Sequence, residues 1–183
     1  MTEPCPSDSI ADCGRLRTRA AKVSDAAAIA EIYNEGIADR VATFETEPRS
    51  LAQIAMWFSG RNLVVVAETE ATGPVAFAAS FPYSERACYS GIGEFSVYVR
   101  GDYRGRGAGR AALSALIAAA TASGMHKLLS RVFPENVASR ALLTRLGFEE
   151  IGTHRRHGQL DGIWRDCVIV ERLLEGPTRG QDR

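Results

Sequence analysis

The run Arg104-Gly105-Arg106-Gly107-Ala108-Gly109-Arg110 holds three glycines and three arginines. Glycine lets a backbone approach a ligand closely and lets successive amide N–H groups point the same way. The arginines add positive charge, and a helical pattern follows at once. Amides at a helix N-terminus bind anions through unpaired donors and the macrodipole. The chemistry offered is the holding of a phosphate or pyrophosphate. Gly107 to Ala112 fits the dinucleotide pattern G-x-G-x-x-G/A, but the run lies in mid-chain, and Leu128 to Val132 stands where an acidic residue is due. A Walker loop is excluded, because no Gly-Lys-Ser/Thr occurs. The other form present is Arg104-x-x-Gly107-x-Gly109.

A second set of candidates precedes the loop. Glu94 stands between Gly93 and Phe95, among apolar residues that make a carboxylate a better proton acceptor. An α-amine has a pKa of about 7.7–8.0 and is mostly protonated at neutral pH, so a base helps it to act as a nucleophile. The bland alternative for Glu94 is a solvent-facing strand residue. Arg86 precedes Glu94 by eight residues, and its guanidinium could fork onto a planar oxyanion or simply sit at the surface. Phe44 and Tyr89 could wall an apolar pocket or belong to the core. His154 and His157 sit in a basic stretch without further ligands, so no metal site is expected. Cys88 has no histidine near it in sequence to make it a nucleophile.

The elements that must position these groups are legible in outline. Phe95, Val97 and Val99 alternate with Glu94, Ser96 and Tyr98, which predicts a strand leading into the loop. After the loop, Leu113, Leu116, Ile117 and Ala120 share one helix face, and Gly124 ends that helix. Upstream, a short strand is expected over Leu16–Ala20, a helix after Ser24-Asp25, a loop over Val41–Pro48 and a helix from Ser50 to Phe58. Strands follow over Leu63–Glu68 and Val75–Phe81. Downstream, a strand over Lys127–Phe133 turns at Pro134-Glu135-Asn136 into a helix closed by Gly147. Phe148–Thr153 and Arg165–Leu173 read as strands, with Arg155–Gly162 as a basic loop between them. The order β-α-α-β-β-β-α-β-α-β-β gives an α/β or α+β class with a mixed sheet.

The chain has 183 residues, enough for one domain over 15–175, between a disordered tail (1–14) and a polar tail (176–183). Its 22 basic and 22 acidic residues cancel, so nothing pulls it globally toward nucleic acid or an acidic membrane. The longest apolar run, Ala111–Ala122, is too short to span a bilayer, and Met1–Gly14 does not read as a signal peptide. Cys5, Cys13, Cys88 and Cys167 show no paired spacing, which suits free thiols in a reducing cytoplasm.

Arg104-x-x-Gly107-x-Gly109 resembles the Q/R-x-x-G-x-G/A loop of the Gcn5-related N-acetyltransferases (GNAT), and the element order over Leu16–Leu174 is similar to that family's. Tyr33-Asn34, Thr43-Phe44-Glu45-Thr46-Glu47-Pro48, Glu94 to Val99 and Trp164-Arg165-Asp166 resemble its phosphinothricin and methionine-sulfoximine branch. Tyr83-Ser84-x-Arg86-x-Cys88-Tyr89-x-Gly91-Ile92-x-Glu94-Phe95 and Arg155-Arg156-His157-Gly158-x-Leu160-Asp161-Gly162 look like the arsinothricin N-acetyltransferases.

The resemblance implies a GNAT fold, a mostly antiparallel mixed sheet of about seven strands with about four helices. It implies acetyl-CoA as co-substrate and no metal. Val97, Tyr98 and Val99 would meet the pantetheine arm, with Tyr98 also near the substrate. Arg104, Gly105, Arg106, Gly107, Ala108, Gly109 and Arg110 would hold the pyrophosphate. Asn136, with Ser139 nearby, would touch the pantetheine, a role compatible with a plain helix N-cap. Glu94 would be the base, and Arg86, Phe44, Tyr89 and Tyr98 would bind a small acidic amino acid analogue, with the chain a cytoplasmic homodimer. Two departures stand out. Leu143 occupies the position where many members carry a tyrosine acid, and Ser84 stands where the branch often has a lysine. A protein or peptide N-acetyltransferase and a non-catalytic acyl-CoA sensor are the competing readings.

Overall fold

The computed structural model describes residues 15–175, so both expected tails lie outside the described residues. One seven-stranded sheet runs in the order β1-β2-β3-β4-β5-β7-β6. Its strands are β1 (Arg17–Ala20), β2 (Leu63–Thr69), β3 (Gly73–Pro82), β4 (Ile92–Val99), β5 (Lys127–Val132), β6 (Glu149–Leu160) and β7 (Ile163–Leu173). Among the described residues four α-helices accompany it: α1 (Ala26–Ala38), α2 (Leu51–Ala55), α3 (Ala108–Ala122) and α4 (Val137–Arg145). Every neighbouring pair is antiparallel except β4 and β5. The expected mixed, mostly antiparallel sheet of seven strands and four helices is what the chain forms.

Hydrophobic burial on both faces explains the two-layered wrapping. In β2, Val64, Val65, Val66 and Ala67 are all buried, as a central strand requires. Val65 and Ala67 join Leu113, Leu116 and Ala120 of α3 on one face. Val64 and Val66 join Ile29 and Ile32 of α1 on the other. Alternation along β4 divides its side chains the same way. Phe95, Val97 and Val99 pack toward α3, whereas Tyr98 packs toward α1.

The parallel pair carries the architecture's functional consequence. β4 and β5 stay in register only over Ile92↔Lys127, Gly93↔Leu128 and Glu94↔Leu129. Beyond Glu94 they part, although β4 remains paired to β3 as far as Val99. The rest of β4 therefore has a free edge inside the sheet, facing a cleft.

Two expectations are corrected. Arg155–Gly162 is not a loop: β6 runs to Leu160 and closes on β7 through Asp161-Gly162, both with positive φ (50° and 78°). β6 is a sheet edge on which every residue before Gly158 is exposed, so no apolar alternation marks it. Register shifts between Glu150/Gly152 and His154/Gly158, with Arg156 at φ 47°, break the pattern further. The helix capped by Ser50, through a capping box with Gln53, is α-helical only through Ala55, and a 3₁₀ turn covers Met56–Phe58.

Candidate active site

The cleft between β4 and β5 is a cavity of about 710 Å³, with the glycine loop at one end. Gly107 (φ 87°) is the N-cap of α3, and Gly105 (φ 72°) precedes it. A Cβ at either would meet nothing within 4 Å, so the loop surface is open to a ligand. Gly109 serves a different need. A Cβ there would lie 3.0 Å from Val99 and 3.4 Å from Leu142, so a larger residue would have to push these side chains aside where α3 starts against β4. The first amides of α3 have no carbonyl partner within the helix, and Gly107, Ala108, Gly109 and Arg110 line the cavity.

The three arginines of the loop take different roles. Arg104 lines the cavity, donates from Nε to the Val99 carbonyl (3.3 Å) and pairs with Asp39 at the end of α1 (2.6 Å). Arg110 also lines the cavity. Arg106 does not. Its guanidinium lies 5.3 Å over the Tyr103 ring, and Arg100 lies 4.7 Å from the same ring. Ala108, Val97 and Val99 line the cavity as well.

On the opposite wall Asn136 does two jobs. Its Oδ1 accepts from the Ser139 amide at 3.1 Å, capping α4, and its Nδ2 donates to the Val41 carbonyl at 3.1 Å. Both Asn136 and Ser139 line the cavity, so the cap and the expected ligand wall coincide in space. Leu143 also lines it and carries no ionisable group. Tyr98 is chiefly a core residue. Its ring stacks on Phe77 (5.4 Å between centroids), meets Tyr33 edge-on (4.7 Å), and fills the space left by Gly36. Burial pushes its hydroxyl far above the ordinary tyrosine range, so it stays protonated and cannot serve as a base.

Glu94 sits where the two strands part, but it is not among the cavity-lining residues. The apolar setting expected for it is not what the structure shows: Arg131 of β5 donates from Nη2 to Glu94 Oε2 at 2.9 Å, with side-chain exposures of 38% and 37%. Arg131 does line the cavity. His157 stands close enough to this pair to feel both charges. Its pKa is held below the ordinary value, first by burial, then by His154 and Arg131, with Glu94 opposing. Arg131→Gln removes one of the lowering influences. An NMR titration should therefore find His157 below about 6.5 in the native chain, and higher in the variant.

The remaining candidates lie outside the cavity. Arg86 and Tyr89 occupy an exposed turn after β3, where the Arg86 guanidinium is 5.6 Å from the Tyr89 ring and Tyr89 packs edge-on against Tyr83. Phe44 packs edge-on against Phe133 (4.9 Å) and covers Gly158, where a Cβ would come within 2.9 Å of its ring. Asn34 fixes the loop that carries Phe44: its side chain accepts from the Arg49 amide (2.7 Å) and donates to the Arg49 carbonyl (3.0 Å). Among the described residues no group of three His, Cys, Asp or Glu side chains could hold a metal, and Cys88 and Cys167 are unpaired. No helix among them is long and apolar enough to cross a membrane.

Comparison with known proteins places this geometry. Residues 15–149 match the Acetyltransferase (GNAT) domain family. An L-methionine sulfoximine/L-methionine sulfone acetyltransferase of Pseudomonas paraeruginosa is 36% identical, over 88% of this chain and 95% of its own. A phosphinothricin N-acetyltransferase of Streptomyces coelicolor is 28% identical, over 87% and 96%. Among solved structures, a GNAT phosphinothricin acetyltransferase of Sinorhizobium meliloti in complex with acetyl-CoA superposes with a TM-score of 0.81 at 32% identity, over 90% of this chain and 94% of that one.

Proposed function

This chain belongs to the GNAT acetyltransferase family, and we propose that it transfers the acetyl group of acetyl-CoA to the α-amine of a small acidic amino acid analogue. One observation carries the proposal: the free edge of β4 runs from an open glycine loop at one end to Glu94, where the strands part, at the other. Acetyl-CoA fits that shape. Gly105, Gly107, Ala108, Gly109 and Arg110 would hold the pyrophosphate, the free edge of Val97 and Val99 would take the pantetheine as an added strand, and Asn136 and Ser139 would close the far side. When bound, acetyl-CoA supplies an activated thioester.

The chain's own residues do the rest. Glu94 accepts a proton from the substrate ammonium, directly or through one water, leaving a neutral amine as nucleophile. Arg104 ties the loop to Val99 and Asp39, fixing the loop against the free edge. Leu143, on the cavity wall, offers no proton to the departing thiol.

For the substrate we propose arsinothricin ahead of phosphinothricin, which would make the enzyme a cytoplasmic resistance determinant. The turn Tyr83–Gly91 with Ser84 in place of a lysine leaves a less positive and roomier approach, suited to the larger arsenic centre. Arg86 would bind the distal acid of the analogue by moving from its ring contact with Tyr89. Arg86→Ala should raise KM for both compounds by about 10²-fold without altering acetyl-CoA affinity, and native kcat/KM should be higher for arsinothricin. Equal or reversed preference overturns the arsinothricin assignment, and an unmoved KM overturns the role of Arg86.

We also propose a homodimer. Ile151, Ile163 and Trp164 are more than half exposed along the β6–β7 hairpin, an apolar excess that a second copy could cover. Light scattering at micromolar concentration should return twice the chain mass, and a monomer mass would refute it.

A further inference from the structure

The ion pair of Glu94 and Arg131 reaches beyond proton transfer. The two side chains come from strands that have just stopped pairing, and they lie on the same face of the sheet. Arg131 lines the cavity, both groups are more than a third exposed, and Glu94 is the one carboxylate within 4 Å of Arg131 among the described residues. The pair is therefore reachable by a ligand, and its partners can be exchanged.

We infer that Arg131 binds the α-carboxylate of the substrate while Glu94 receives the α-ammonium, so that the ion pair reads the amino acid zwitterion as a unit. The charged ends of the pair are 2.9 Å apart. A ligand engaging both presents a cation to Glu94 and an anion to Arg131, and because the two groups lie side by side its charges belong on neighbouring groups. An ammonium and a carboxylate on the same carbon meet that demand. A lysine side chain, a simple amine or a peptide N-terminus does not, because none carries a carboxylate on the carbon that bears its amine. Guanidinium also offers the planar fork that a carboxylate accepts bidentately. The exchange keeps the charges balanced: each member of the pair gives up its partner for an opposite charge on the ligand. The inference rests on the proposed substrate class and adds a residue for the α-carboxylate, distinct from Arg86 at the distal acid.

The test compares native enzyme, Arg131→Lys and Arg131→Gln, each with L-phosphinothricin and with its α-carboxamide, and titrates acetyl-CoA separately. The native enzyme should favour the carboxylate by about 10²-fold in kcat/KM, chiefly through KM. In Arg131→Gln that ratio should fall close to one, and Arg131→Lys should restore part of it. A purely structural ion pair would instead weaken acetyl-CoA binding or lower both substrates equally. The inference is overturned if Arg131→Gln keeps the native ratio, or if the native enzyme accepts both compounds equally well. If Arg131→Gln fails to fold, the ratio in Arg131→Lys decides, and an unchanged ratio there overturns it. If the native enzyme accepts neither compound nor any other α-amino acid, the proposed substrate class fails and takes this inference with it.

Discussion

Glu94→Gln is expected to lower kcat by about 10²–10⁴-fold at neutral pH, the range that general-base catalysis supplies. The substitution keeps the shape of the side chain and an oxygen that Arg131 can still donate to, and it removes both the proton acceptor and the negative charge that receives the α-ammonium. Because Glu94 does not line the cavity, acetyl-CoA affinity should stay near the native value. The deficit should shrink as the pH rises past the amine's own pKa, about 8, where the nucleophile forms unaided. Rate against pH for the two proteins checks both parts. A variant that turns over normally at pH 7 removes Glu94 from the base's role, and a deficit that does not change with pH points to a structural role instead.

Gly107→Asp should raise the dissociation constant for acetyl-CoA by at least about 10²-fold, since like charges brought together cost several kcal/mol. The fold should survive. The added Cβ meets nothing within 4 Å, and Asp tolerates the left-handed conformation of Gly107 better than most residues. Gly107→Asn separates the causes. It imposes a similar backbone demand at φ 87° without the charge, and should lose far less affinity. Calorimetry gives both numbers. Unchanged affinity in the Asp variant would remove the phosphate from this loop.

What the sequence made legible, and what it did not, follows from how local each signal is. The glycine loop and its flanking strand and helix could be read because glycine spacing, alternation and helical periodicity all lie within about 25 consecutive residues. The central strands could be read because burial on both faces leaves continuous apolar runs such as Leu63–Ala67. The edge strand β6 could not, because an exposed edge needs no apolar face. The available signal there was Asp161-Gly162 between Leu160 and Ile163, a hairpin turn pair.

Pairings across the sheet were the harder part. Glu94 carries a local signal, yet its partner Arg131 lies 37 residues away and nothing in the local pattern marks it. The contact arises because β5 runs parallel to β4, after the crossover through α3. The same distance hides the reach of Asn136 to Val41 and the cover that Phe44 gives Gly158. Within the loop, composition counted three arginines alike, whereas Arg106 rests on Tyr103 and only Arg104 and Arg110 line the cavity. Tyr98 shows the same ambiguity for aromatics. It does line the cavity, but its ring is spent on Phe77 and Tyr33.

The central claim is acetyl transfer from acetyl-CoA to the α-amine of a small acidic amino acid. Release of free thiol from acetyl-CoA tests it most directly, measured with arsinothricin, L-phosphinothricin, L-methionine sulfoximine, a lysine peptide and a free-amine peptide N-terminus. The account predicts thiol release that depends on the amino acid analogues, is strongest with arsinothricin, and yields the N-acetyl product in equal amount. Acetyl-CoA binding without thiol release on any amine, or release driven by the peptides instead, would contradict it.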